Sequence, residues 1–140
     1  MQVIRKGTLW HQRDKLFSRW KERFFILTQD YFHCFKKDCS QLSDMGEFLF
    51  KLRLVNIEEL LLLDKRGYLT ISLNPKNEGR MYFRLQEGIR DWFHNIQVSL
   101  LHSPVETQAY KRALLTPTSQ HQHPHSIAIS FGFKLNKWLH

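Results

Sequence analysis

The sequence predicts a mainly β fold, a small barrel or sandwich of seven antiparallel strands that one amphipathic C-terminal helix closes.

 Short runs of β-forming residues recur along the first two thirds of the chain, and polar turn segments separate them. The hydrophobic period then changes from 2 to 3.6, which indicates one helix after the strands. Aromatic residues make up 14% of the chain, with 11 Phe, and this composition favours strands over a helical bundle.

Seven segments carry the strand pattern, and turns are predicted at 29–30, 64–67 and 74–79, with a polar loop at 37–46. The strands are expected at residues 7–12, 21–28, 31–36, 48–54, 59–63, 68–73 and 80–85. In the fourth of these, alternation places one set of side chains on a single face that we expect to lie in the core. That set is Phe48, Phe50, Leu52 and Leu54.

One amphipathic helix follows the strands. Its apolar side chains recur at spacings of three and four and form a single stripe. The stripe consists of Ile89, Trp92, Phe93, Ile96 and Leu100. We expect this helix to plug one end of the barrel.

Residues 104–140 are expected to form an extension beyond a domain of residues 3–103. Ser103, Pro104 and Glu106 match a helix start, with a capping residue, a proline at the first helical position and a capping box. A second short helix is therefore predicted to run to about Leu115. The remainder has no clear period and is expected to be a flexible tail.

The chain is basic, with a net charge of +8 at pH 7. Seven basic and two acidic residues lie between Arg5 and Arg23, which concentrates a charge of +5 there, whereas charges cancel between Gln41 and Ser103. This distribution predicts an acidic partner at one end of the domain. The partner could be a phospholipid surface, a nucleic acid or an acidic protein surface.

Cysteine usage and hydropathy favour a cytoplasmic protein. The two cysteines, Cys34 and Cys39, fit reduced thiols, and the first residues, MQVIRKG, contain no apolar segment of the kind found in secretory signals. The longest aliphatic run, Leu60 to Leu63, is far shorter than the roughly 20 residues of a membrane span. We expect a cytoplasmic protein that a membrane surface can recruit.

The segment WKERFFIL combines a core strand with bases at its start. Arg23, Phe25 and Leu27 share one face of this strand. If Phe25 and Leu27 point into the core, Arg23 does so too, at the open end, where a guanidinium needs an anion or water. Its planar fork suits phosphate oxygens. The alternative is a solvated ion pair of Arg23 with Asp14 or Glu22.

The loop between the first two strands has an apolar tip and a basic rim. Leu16 and Phe17 lie among Arg13, Lys15 and Arg19. At an anionic bilayer, each nearby cation contributes ~1 kcal/mol, and a fully buried Phe or Leu contributes roughly 1.5–3 kcal/mol. The pattern predicts membrane contact by Leu16 and Phe17. The alternative is that Phe17 folds back as a lid on the barrel.

The order of these elements resembles a pleckstrin homology (PH) domain over residues 3–103. Lys6-Gly7 and Leu9 look like the first strand of that family, and WKERFFIL looks like its second strand. Trp92 looks like the single tryptophan of the family's C-terminal helix. The resemblance implies two near-orthogonal sheets closed at one corner by the helix.

The resemblance also implies binding of phosphoinositide headgroups at the open end, between the first two strands. Lys21 and Arg23 are similar to the family's basic-x-Arg pair, and His11 stands where the family has a strand-one lysine. The predicted ligand-binding residues are His11, Arg13, Lys15, Arg19, Lys21, Arg23 and Lys36. Since an unperturbed histidine has a pKa of ~6.5, a His11 in this site predicts stronger lipid binding as the pH falls from about 7.5 to about 6.

No catalytic group, cofactor site or metal site is predicted. The sequence has no Gly-rich phosphate loop, nucleophile elbow or Cys-x-x-Cys motif. Glu58 and Glu59 are adjacent in a strand and point to opposite faces, so they cannot act as a catalytic pair. His121, His123 and His125 alternate, but no cysteine or carboxylate lies nearby, which favours a polar tail over a metal site.

The predicted function is a non-catalytic membrane-targeting or adaptor module in signalling. It binds acidic phospholipids, phosphoinositides among them, through the basic loop between strands one and two. The alternative is an adaptor that binds an acidic protein surface without lipid. Nucleic-acid binding by aromatic stacking is disfavoured, because the basic residues cluster at one end rather than along a groove.

Overall fold

The computed structural model describes residues 2–38, 40, 44–102 and 127–130. Within these ranges the chain forms eight strands, one α-helix and a 3₁₀ turn at Leu54–Asn56. The elements are β1 (Val3–Arg13), β2 (Lys21–Thr28), β3 (Tyr31–Lys37), β4 (Met45–Arg53), β5 (Ile57–Lys65), β6 (Tyr68–Pro75), β7 (Met81–Arg84), α1 (Ile89–Leu101) and β8 (Ile127–Ser130).

The strands form one antiparallel sheet in the order β4-β3-β2-β1-β7-β6-β5-β8. The long strand β1 joins the two halves, because its residues from Val3 to His11 pair with β2 and those from Trp10 to Arg13 pair with β7. The predicted fold class, seven antiparallel strands followed by a C-terminal helix, is confirmed. Hydrogen bonding runs through a single sheet, since β1 belongs to both halves.

Several strands are longer than the alternating pattern predicts. β1 begins at Val3 rather than at Gly7, because Val3 pairs with Thr28 and Arg5 with Leu27. β5 extends over Ile57–Lys65 along β6. Pairing with a neighbour also carries these strands through residue types that do not favour a strand, such as Lys6 in β1 and Asp64 and Lys65 in β5.

An aromatic cluster lies at the centre of the core. Phe25 stacks on Phe32 with ring centroids 4.9 Å apart, and Phe83 meets Phe25 edge-on at 5.3 Å. Trp92 of the helix lies 6.1 Å from Phe32, and all four rings are buried. Burial of each ring contributes about 1.5–3 kcal/mol, so this cluster attaches α1 to the sheet.

The helix α1 packs through the apolar stripe that the sequence predicts. Its buried side chains include Ile89, Trp92, Phe93, Ile96 and Leu100. The helix begins after Gly88, whose φ of 90° lies in the left-handed region that favours glycine. Arg5 lies over the Trp92 ring at 5.2 Å, and its Nη1 donates to Asn95 Oδ1 at 3.2 Å. These contacts attach the start of β1 to the helix.

A register shift in β4 overturns one core prediction. Cys34 pairs with Phe50, but the next residue, Phe35, pairs with Phe48, so Leu49 is an extra residue in β4. The shift turns Phe48 to the outer face, where it is half-exposed and its ring lies 5.6 Å from that of Phe35. The expectation that Phe48 shares the core face of this strand is wrong, because the bulge breaks the alternation.

β8 occurs where the sequence predicts a flexible tail. Its backbone pairs with β5 from Ile127 opposite Leu62 to Ser130 opposite Glu59, so four residues of the extension form a strand that no pattern predicts. Other predictions concern residues that the structure does not describe. These are the second helix over 103–115, Cys39 and the histidines His121, His123 and His125.

Candidate anion-binding site

The hairpin of β1 and β2 carries the candidate site where the loop joins the strands. His11 pairs with Lys21, and Leu9 pairs with Arg23. Phe25 is fully buried in the core, so strand alternation directs Arg23 toward the same face. Arg23 remains partly exposed because it lies at the open end of the strand.

A cavity of about 220 Å³ lies at this end of the hairpin. Five of the predicted site residues line it, together with Ser18, Leu49 and Phe50, and none of the lining residues is acidic. The five are His11, Arg13, Arg19, Lys21 and Arg23. The volume lies below the roughly 300–1,000 Å³ of pockets that enclose drug-sized ligands, so the cavity suits a compact anionic group.

The solvated ion pair considered for Arg23 is not formed. Glu22 instead accepts a bond from Lys37 Nζ at 2.7 Å, and the backbone N–H of Asp14 donates to the carbonyl of Arg80. Within the described residues, Arg23 has no ion pair. A cation at the mouth of a cavity without an internal carboxylate is available to an external anion.

Arg13 has two partners at the edge of the cavity. Its guanidinium lies over the Phe50 ring at 5.2 Å, and its Nη1 lies 4.0 Å from Glu78 Oε2. Both members of this ion pair are partly exposed, so solvent screens it strongly. An incoming anion therefore meets little competition from Glu78.

His11 lines the cavity as a neutral group. Its Nδ1–H donates to the carbonyl of Tyr82 at 3.3 Å, and its ring stacks on Phe83 at 4.9 Å. Burial lowers the pKa of His11 from 6.5 to about 4; the bond to Tyr82 opposes this shift, and Arg13, Arg23 and Lys21 add to it. The prediction that His11 gains a positive charge between pH 7.5 and 6 is therefore wrong, because burial of the ring disfavours its protonated form.

The loop between β1 and β2 holds its apolar tip in solvent. Leu16 is 85% exposed and Phe17 is 90% exposed, so Phe17 is not folded back as a lid. Phe17 has a φ of 64°, a strained conformation for a residue other than glycine. The Oγ of Ser18 accepts a bond from the Arg13 N–H at 3.1 Å, which holds the loop against its own strand.

Two predicted site residues lie outside the cavity lining. Lys15 is exposed in the loop, where its carbonyl accepts a bond from the Ser18 N–H at 3.0 Å. Lys36 pairs with Arg23 across β2 and β3, but its Nζ lies 3.5 Å from Glu47 Oε2, and both side chains are exposed. Neither lysine contributes to the wall of the cavity.

The apolar wall of the cavity is not predicted by the sequence. Leu49 and Phe50 come from β4, which is separated from β1 by two strands in the sheet order. The alternating pattern identifies Phe50 as a core residue, but it carries no signal that this ring reaches the open end. The bulge at Leu49 depends on pairing between β3 and β4, which the local sequence does not encode.

The described residues carry little other reactive chemistry. Burial raises the pKa of Cys34 to about 12, so its thiol stays protonated. No group of three metal-binding side chains occurs in the part of the chain that the structure describes. Nor does that part include a helix with the length and hydropathy needed to cross a membrane.

Comparison with known proteins gives similarity in structure alone. Neither protein-family models nor curated protein sequences match the chain. The Slm1 PH domain in complex with D-myo-inositol-4-phosphate has a TM-score of 0.55 and 20% identity, over 71% of this chain and 96% of that chain. The pleckstrin homology domain of ArhGAP27 has a TM-score of 0.57 and 13% identity, over 69% and 97%.

A third solved structure is the C-terminal PH domain of pleckstrin in complex with D-myo-Ins(1,2,3,4,5)P5. It has a TM-score of 0.53 and 19% identity, over 70% of this chain and 98% of that chain. At such identities, the similarity establishes the fold. The chain therefore has the fold of PH domains, as the resemblance implied.

Proposed function

We propose that the protein is a non-catalytic module that binds the phosphorylated headgroup of an acidic phospholipid, a phosphoinositide, in the basic cavity. Binding recruits it from the cytoplasm to the membrane surface. One observation carries this proposal: four cationic side chains converge on a cavity whose lining has no carboxylate. The inositol phosphates in the Slm1 and pleckstrin structures support a ligand of the same chemistry.

Arg23 and Lys21 supply the main contacts in this proposal. The planar guanidinium of Arg23 bonds two phosphate oxygens at once, and the ammonium of Lys21 acts as a point charge beside it. Arg13 and Arg19 approach the anion from the two ends of the loop. Since Arg23 has no ion pair among the described residues, a ligand can bind it without first separating it from a carboxylate.

Leu16 and Phe17 supply a second, apolar attachment. Their exposure allows insertion into the bilayer while the basic cavity faces the headgroups. Partial burial of both side chains adds to the ~1 kcal/mol that each nearby cation contributes. Four to six such contributions reach micromolar affinity, which corresponds to about 8 kcal/mol.

Sedimentation with vesicles tests the proposal. Wild-type protein is expected to bind phosphoinositide-doped vesicles and to remain in solution with neutral ones. The double variant Lys21→Ala, Arg23→Ala is expected to bind at least about 100-fold more weakly, because two charge-assisted hydrogen bonds contribute about 1.5–3 kcal/mol each. Equal recovery with neutral and doped vesicles would contradict the proposal.

A matched variant controls for net charge. Arg53→Ala, Arg90→Ala removes the same two charges from exposed positions outside the cavity lining. We expect this variant to bind within about threefold of wild type, since only long-range attraction is lost. A loss equal to that of the Lys21 and Arg23 variant would show general charge attraction and would rule out a specific cavity.

A further inference from the structure

A second concavity, which we call the aromatic groove, lies on the opposite face of β1. Its volume is about 650 Å³, and its lining includes Trp10, Trp20, Tyr68, Arg84, Leu85 and Ile89. Trp10 is adjacent to His11 in β1, so alternation directs it away from the face that carries the basic cavity. The groove and the basic cavity are therefore separate surfaces of one hairpin.

Arg84 is the charged side chain of this groove, and its position is well defined. Its guanidinium carbon lies 4.3 Å from the Trp20 ring centroid and 4.8 Å from that of Tyr68. Its Nε donates to Thr70 Oγ1 at 3.0 Å, and its Nη2 donates to the carbonyl of Lys65 at 3.1 Å. Among the described residues, its Nη1 has no acceptor. Because these contacts already order the guanidinium, ligand binding carries no further entropic cost for immobilising it.

The aromatic side chains beside Arg84 remain accessible. Tyr68 is 63% exposed and Trp10 is 44% exposed, whereas Ile89 closes the groove from the helix side. The volume lies within the roughly 300–1,000 Å³ of pockets that bind small molecules or peptide side chains. Trp, Tyr and Arg are the residue types that contribute most to protein–protein binding.

The charge of the groove favours a carboxylate over a phosphorylated headgroup. Arg84 is the one cationic side chain in the lining, and no lining side chain is acidic. Arg66 lies in the adjacent turn and acts on Arg84 electrostatically. A polyphosphate needs several cations, as in the basic cavity, whereas a single ordered guanidinium with one open nitrogen matches one carboxylate.

We propose that the aromatic groove binds a short acidic peptide segment of a partner protein. An Asp or Glu carboxylate of the peptide pairs with Arg84 Nη1, and an apolar side chain of the peptide packs against Trp10 and Tyr68. The groove and the basic cavity share no lining residue, so the peptide proposal and the lipid proposal can be tested independently.

Fluorescence anisotropy with labelled peptides tests this proposal on the full chain. The probes are heptapeptides of Asp and Glu around a central Phe or Leu, with two matched sets. One set has Lys and Arg in place of the acidic residues, and the other has Gly at the centre. We expect the acidic peptides with an apolar centre to bind at least tenfold more tightly than either matched set.

Variants then place the peptides on the groove. Tyr68→Ala is expected to weaken peptide binding at least tenfold, Tyr68→Phe to retain it, and Lys21→Ala, Arg23→Ala to leave it within threefold. Tyr68 is exposed, so Tyr68→Ala is expected to melt as wild type does, which thermal unfolding checks. Trp10→Ala removes another aromatic side chain that lines the groove and is also expected to weaken peptide binding.

Three results would overturn the proposal. The first is equal affinity for acidic peptides and either matched set. The second is peptide binding that Lys21→Ala, Arg23→Ala abolishes and Tyr68→Ala retains, which would place the peptide in the basic cavity. The third is a tenfold loss of phosphoinositide-vesicle binding in Tyr68→Ala without any effect on peptides, which would make the groove a lipid site.

Discussion

The basic cavity and the aromatic groove lie on opposite faces of the same hairpin and hold their cations differently. In the cavity, four cationic side chains surround a small volume, and Arg23 has no ion pair among the described residues. In the groove, one guanidinium lies between two aromatic rings and is held by two hydrogen bonds. Under the two proposals, the number of cations and their surroundings select the ligand of each surface, rather than positive charge alone.

The adjacent residues Trp10 and His11 illustrate why the two surfaces differ. Alternation along β1 sends His11 and Arg13 to the face of the basic cavity and Trp10 to the other face. The same strand thus contributes side chains to the basic cavity on one face and to the aromatic groove on the other. Substitutions on one face are expected to leave binding at the other face unchanged.

The largest effect expected is a loss of folding stability in acid, which arises from His11 of the basic cavity and from no residue of the groove lining. His11 has a folded-state pKa of about 4 against 6.5 unfolded, so the unfolded state takes up the proton first as the pH falls. The neutral His11 therefore stabilises the fold above pH 6.5, and this contribution is lost between pH 6.5 and 4. From pH 7 to 5 we expect a loss of about 2 kcal/mol, at 1.36 kcal/mol per pKa unit.

Urea unfolding at pH 7 and pH 5 measures this loss, with His11→Gln as the matched variant. Carboxylates titrate in both proteins, so the difference between their pH dependences isolates His11. The groove lining has no group that titrates in this range. Equal pH dependence in wild type and His11→Gln would show that His11 is not buried as a neutral group.

The second effect separates membrane contact from headgroup contact. Leu16→Ala, Phe17→Ala removes the exposed tip, and we expect about tenfold weaker vesicle binding, because two partly buried side chains contribute about 1.5–3 kcal/mol together. Calorimetry with a soluble inositol phosphate should show no change, and acidic peptides should bind as before. A matching loss for the soluble headgroup would mean that the tip shapes the cavity instead of entering the bilayer.

The smallest effect concerns the pH dependence of lipid binding. Because the pKa of His11 is about 4, its charge does not change between pH 7.5 and 6. The vesicle-binding profiles of wild type and His11→Gln should therefore run parallel within about twofold. The comparison with the variant matters, since lipid phosphates themselves titrate near pH 6. If binding became stronger at pH 6 for wild type but not for His11→Gln, His11 would be charged in the site, contrary to this prediction.

The fold and the cationic side of the cavity are predictable from local sequence. Periodicity predicts the strands and the helix, because burial imposes a period of 2 or 3.6 on apolar residues. The same alternation places Arg23 on the face of Phe25 and Leu27. Alternation does not predict the ion pair of Lys36 with Glu47, because Lys36 lies in β3 and Glu47 in β4. That contact depends on how the two strands pair.

The aromatic groove shows where local pattern stops being informative. An exposed Trp10 follows from its place between the buried Leu9 and His11, but its neighbours Tyr68 and Arg84 come from β6 and β7. Their approach depends on β1 pairing with β7, a contact between residues about seventy positions apart in the chain. No pattern in any one strand indicates which strand will lie beside it.

By itself, the sequence determined the strand and helix periods, the cluster of bases at one end and the apolar loop tip between them, because each depends on neighbours in the chain. Tertiary structure alone decided that His11 is neutral, that Phe48 faces outward and that Arg84 lies between Trp20 and Tyr68. The physical reason is that burial, register and ring contacts are set by strands that meet only after folding.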